Sequence, residues 1–133
     1  MEVEKARFGC TQCLPEDADA AGEALKQMSI HKALIQESHY SIKLRVCKTC
    51  QQAFVSVFTE RTDWQDGKDP QRWLVMPLTT DEVTRLSALQ EISALERSVQ
   101  LIAPDRRSLC LDYPKGHPSK VFWPRGLRIG IHD

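Results

Sequence analysis

The chain has 133 residues, 41% of them hydrophobic, and its 18 lysines and arginines balance 18 aspartates and glutamates. One domain spanning residues 1–133 is expected at this length. A formal charge of zero excludes a general attraction to nucleic acid or to an anionic membrane. No stretch approaches the roughly 18 consecutive apolar residues of a membrane span. The charged opening Met1-Glu2-Val3-Glu4-Lys5 leads into no apolar run of the kind a secretory signal needs, so a cytoplasmic protein is expected. The balance is uneven along the chain. Residues 1–38 hold seven acids against four bases, and residues 104–133 hold six bases against three acids.

In chain order, a polar lead-in reaches Gly9 and the pair Cys10-Thr11-Gln12-Cys13. Pro15 and the acids Glu16, Asp17 and Asp19 suit a helix start, because acids there complement the helix dipole. The composition from Glu16 to Ser38 predicts helix, with Leu25, Met28, Leu34 and Ile35 as core contacts; Gly22 weakens it by about 1 kcal/mol, which leaves two shorter helices as the alternative. Tyr40–Val46 alternates apolar and polar residues and predicts a strand running straight into Cys47-Lys48-Thr49-Cys50. Ala53–Thr59 is apolar on both faces and predicts a central strand, so the second cysteine pair is expected at the tip of a β-hairpin. Residues 61–71 read as a loop with an Asp66-Gly67 turn, and Arg72–Met76 as a third strand ended by Pro77, giving a three-strand meander. Thr79 and Glu82 form a capping-box pattern that opens a helix reaching about Ser98. Its apolar residues recur mostly every three positions, so the stripe drifts by about 60° per step. That suits an oblique helix, or one touched on two sides, the second case allowing a homodimer contact. Leu109–Tyr113 predicts a further strand, and Val121–Trp123 and Arg128–Ile131 are short apolar pieces beyond it.

The four cysteines carry the strongest chemical signal. Two residues between paired thiolates let both point at one ion from a tight turn, and two pairs complete the four-sulfur shell that Zn2+ favours; iron would accept the same set. In a reducing compartment such pairs are metal ligands before they are disulfides. A redox pair would be followed by a helix, whereas a strand follows Cys50. Cys10, Cys13, Cys47 and Cys50, with the strand-knuckle-strand setting of the second pair, resemble the ligands of the zinc-ribbon and zinc-knuckle families. The resemblance covers roughly residues 8–60. The chain departs from the family pattern in the long Cys13–Cys47 gap, which is expected to contain a helix, and in lacking the proline and glycine often found beside ribbon cysteines, with Lys48 and Thr49 inside the second pair and Gln51 after it. Overall the expectation is an α+β domain: a small antiparallel sheet with zinc-ribbon-like knuckles and two main helices, stapled by one structural Zn2+.

A closed set of four thiolates leaves no position for a reacting water, so the metal is expected to be structural. Cys110, in a Leu-Cys-Leu context, reads as a core residue, and His31, His39, His117 and His132 are scattered. The acids Asp63, Asp66 and Asp69 lack the alternate-position spacing of a calcium loop and read as a polar turn around Trp64, a candidate binding anchor. Arg106, Arg107, Trp123 and Arg125 form a second candidate surface, basic and aromatic. The function expected is non-enzymatic protein binding, as an adaptor or a small inhibitor of the bacterial immunity type. The alternative is a zinc-ribbon nucleic-acid binder using Lys43, Arg45 and Lys48.

Overall fold

A computed structural model describes residues 8–60, 70–114 and 118–129. In chain order the elements are α1 (Ala18–Gln27), β1 (Ser29–Glu37), β2 (Tyr40–Val46), β3 (Ala53–Glu60), β4 (Gln71–Leu78), α2 (Thr80–Ala88), α3 (Ile92–Leu101), β5 (Leu109–Tyr113) and β6 (Lys120–Phe122). The strands form one antiparallel sheet in sequential order, β1-β2-β3-β4-β5-β6. The α+β class is therefore correct, but the meander is twice the length read from the sequence.

The alternation of β2 sets the two faces. Ile42 and Leu44 are fully buried among Val55, Val57, Leu74 and Met76, and Leu86 of α2 and Leu95 and Val99 of α3 close that core from above. On the opposite face Phe54, Val75, Leu109 and Leu111 pack against Ala21 and Leu25 of α1 and against Cys13 and Cys47. Gly22 lets α1 sit close, because a Cβ there would lie 3.3 Å from Leu111 Cδ2. The sheet thus lies between two helices on one side and one helix with the cysteine turns on the other.

Three expectations need correction. The helix predicted over Glu16–Ser38 is α1 followed directly by β1. Asp17 caps α1, its carboxylate accepting from the Ala20 N–H at 3.0 Å. Pairing with β2 then draws residues 29–37 into the sheet. Register irregularities between Ile30 and Lys32 and between Ala33 and Ile35 place Ile30, Ala33 and Gln36 on one face of β1. That spacing of three mimics a helical stripe and conceals the strand. The single helix predicted from Thr79 to Ser98 is two, so the domain has three helices among the described residues rather than two. Leu89 and Glu91 are extended, and the break resets the helical phase so that Leu86, Leu95 and Val99 all reach the core despite their drifting spacing. Finally, β4 runs through Pro77 to Leu78. The Pro77 carbonyl accepts from Arg106 Nη1 at 3.0 Å and so points away from β3. The ring nitrogen points the same way, and no ladder bond with β3 is lost.

Candidate metal centre

Each cysteine pair sits in a turn built the same way. The Leu14 N–H donates to the Cys10 carbonyl at 2.9 Å and the Gln51 N–H to the Cys47 carbonyl at 3.0 Å. Gly9 enters the first turn at φ 70°, where a Cβ would stand 2.6 Å from Cys13 Sγ. Gln51 leaves the second at φ 67°, a left-handed conformation that costs a non-glycine residue about 1–2 kcal/mol. The second turn caps the β2–β3 hairpin, as its sequence context predicts.

The turns bring Cys10, Cys13, Cys47 and Cys50 together with all sulfurs within 4.8 Å of one another. The Cys10–Cys13, Cys10–Cys47 and Cys13–Cys50 separations are 3.8, 3.9 and 3.7 Å. A regular tetrahedron of sulfurs at the Zn–S distance of about 2.3 Å has an edge of about 3.8 Å, so the set is consistent with a zinc-binding site. Amide donors point at the sulfurs, the Cys10 N–H at Cys13 Sγ (3.2 Å) and the Thr49 N–H at Cys47 Sγ (3.4 Å). Backbone donors from Cys13 and Gln12 draw the Cys10 thiol down to about 7, whereas burial pushes Cys13 and Cys50 up. Four thiolates in so small a space would need a cation beside them, and a divalent ion could supply that charge.

Two polar contacts that the sequence reading missed join the turns to each other and to the sheet. Gln52 Oε1 accepts from the Gly9 N–H at 3.0 Å, while its Nε2 donates to the Ala53 and Leu78 carbonyls at 2.8 and 2.7 Å. Thr49 Oγ1 donates to Gln12 Oε1 at 2.8 Å. No motif marks either residue; the hairpin position of Gln52, directly after a metal turn, is the only local sign. Cys13 and Cys47 are core residues, whereas Cys50 is exposed and borders a cleft of about 470 Å3 with Phe8, His31, Val46, Leu78 and Val83.

The other candidates lie elsewhere. Trp64, Asp63, Asp66 and Asp69, with His117 and His132, lie outside the described residues. Arg106 turns inward, pairing with the buried Glu82 at 2.6 and 3.2 Å and lying over the Phe8 ring at 4.5 Å. Arg107 stacks over Trp123 at 4.2 Å, and the indole N–H reaches the Glu16 carbonyl at 3.1 Å. Arg125 pairs across an isolated bridge with Arg107 and donates to the Asp105 carbonyl at 2.8 Å. Cys110 is 2% exposed in the core beneath α2 and α3, and burial pushes its thiol up to about 11. Among the described residues, no helix is long and apolar enough to cross a membrane. Comparison with protein-family models, curated proteins and solved structures finds no match to the chain.

Proposed function

We propose that the chain is a zinc-clamped, non-enzymatic domain whose work is binding another protein, as an adaptor or a small inhibitor of the immunity type. One observation carries the reading: all four ligand positions belong to the chain's own thiolates, and two of those cysteines are part of the core between the sheet and α1. A Zn2+ held there has no open coordination position and acts as a fastening, bringing the segment before α1 to the β2–β3 hairpin. The remaining cysteine, Cys110, is buried with a raised pKa, which disfavours the thiolate a nucleophile needs. Reduced thiols of this kind fit a cytoplasmic setting. The exposed side of the Arg107–Trp123 stack and its neighbour Arg125 add residue types common at binding hot spots.

The test begins with elemental analysis of the purified protein, which should show one zinc per chain. The zinc-loaded, tagged chain is then used for affinity capture from its native extract, in parallel with and without nuclease treatment, with the retained protein identified by mass spectrometry and the retained nucleic acid extracted and quantified. A stoichiometric protein partner is expected. Retention of nucleic acid in place of protein, with affinity falling steeply as salt rises, would overturn the reading in favour of a nucleic-acid binder.

A further inference from the structure

On the face of the sheet that carries α1, exposure among the described residues rises toward β1. Its residues line up in rows across the strands. One row runs Gln36, Ser41, Phe58, Trp73, Leu111; a second runs Ala33, Lys43, Ser56, Val75, Leu109; a third begins Ile30, Arg45, Phe54. At the β4–β5 end these side chains are largely buried under α1. At the β1 end Gln36, Ala33 and Ile30 are all exposed, Ile30 by 53%. Phe58 stacks on Trp73, ring centroids 4.6 Å apart, but belongs to neither core cluster. Between the two ends Ser41, Phe54 and Ser56 are buried and Lys43, Arg45 and Phe58 are half-buried.

The charge toward β1 is one-sided. Arg45 is half-buried, its Nε donating to Ser56 Oγ at 2.9 Å, and its guanidinium makes no ion pair among the described residues. Burial lowers its pKa, the sign of a cation whose desolvation is not offset by a carboxylate. Lys43, on the same face of β2, is likewise unpaired among the described residues. The acid on this face, Glu60, stands at the far end of β3 against His39.

We propose that the β1 side of this face docks an acidic amphipathic helix of the partner protein, with carboxylates reaching the half-buried Lys43 and Arg45. The inference rests on the protein-binding reading above and names its surface and the chemistry of its partner. The dimensions agree. Three strands at about 4.8 Å spacing span about 10 Å, the width of one helix. Residues two apart on a strand stand about 6.8 Å apart, close to the roughly 6 Å rise between helix positions i and i+4. The short side chain of Ala33 allows close approach, and the exposed Ile30 and half-buried Phe58 supply apolar contact.

The full zinc-loaded chain is used to select binders from a displayed library of about 18-residue amphipathic helices, long enough to follow a strand of this sheet. Recovered peptides should carry Asp or Glu at i and i+4 beside an apolar stripe. Their affinity should fall at least tenfold in Lys43→Glu and in Arg45→Glu, and remain unchanged in Arg97→Glu on the exposed side of α3. Backbone amide shifts on binding should concentrate in β1–β3. If Arg45→Glu does not fold, Lys43→Glu and Ile30→Glu decide the outcome. Peptides without acid enrichment, or insensitive to these substitutions, would overturn the inference while leaving protein binding intact. Tighter binding of a single-stranded oligothymidine to the same residues would reassign the surface to nucleic acid, and absence of any selected peptide would also overturn it. Only the affinity capture described above bears on protein binding as such.

Discussion

At the residue scale, the cysteine cluster depends on small groups beside the cysteines as much as on the sulfurs. A methyl at position 9 would meet Cys13 Sγ at 2.6 Å and would sit on a backbone at φ 70°. Gly9→Ala should therefore weaken zinc binding at least tenfold, as read by competition with a chromophoric chelator, while the β2–β3 hairpin persists. Gln52 satisfies a donor on one segment and acceptors on two others, so Gln52→Ala leaves buried backbone groups unpaired and should cost about 1–3 kcal/mol in denaturant unfolding. Glu82 is held by opposing effects. Burial works to raise its pKa, but the Arg106 guanidinium and the Thr79 N–H and hydroxyl around the capping box lower it overall. A carboxylate lowered in the folded state contributes stability that is present above its unfolded pKa of about 4.3 and is lost as pH falls through the folded value. Glu82→Gln should cost about 3 kcal/mol at neutral pH and flatten the loss of stability below about pH 4.5, measured by urea unfolding across pH.

At the element scale, α2 and β1 show how local signals succeed and fail. The capping box at Thr79 and Glu82 forms as its spacing predicts, because it needs only atoms three residues apart. Thr79→Ala should destabilise the domain by about 1 kcal/mol by thermal unfolding. The break after α2 was not legible: Leu86, Leu89, Ile92 and Leu95 keep one spacing through it, and only the core above the sheet requires the phase to restart. β1 was hidden for a related reason. Its two irregularities turn the period of two that marks a strand into a spacing of three, and its exposed edge position removes the apolar alternation that would otherwise reveal it. Contacts that hold β1 in place come from far along the chain, among them Lys32 Nζ donating to the Ser87 carbonyl at 3.2 Å.

At the scale of the whole molecule, the cysteine cluster joins segments 37 residues apart in sequence and closes one side of the second core. On the zinc reading, a strong chelator should lower the melting temperature by more than about 10 °C, since a structural zinc contributes on the order of 10 kcal/mol to folding. An unchanged melting temperature would remove the clamp from the account. Acid should have the same effect as the chelator. Ligand thiols must lose their protons to bind, and burial raises those of Cys13 and Cys50, so protons compete more strongly as pH falls. Zinc affinity should drop by at least tenfold per pH unit below about pH 7, followed with the same chromophoric chelator.

The sequence by itself determined the four cysteines that cluster, the β2–β3 hairpin that presents two of them, the strands β4 and β5, and the cap of α2. Each of these is written in residues a few positions apart, and short-range geometry is enough to read them. Only the tertiary structure decided that Ser29–Glu37 joins the sheet, that the long helix divides, that Arg106 belongs to Glu82, and that the β1 side of one sheet face is exposed. Those features depend on which distant surfaces meet. Burial of an apolar face or of a charge is set by the neighbour that covers it, and the identity of that neighbour is not encoded in any local spacing.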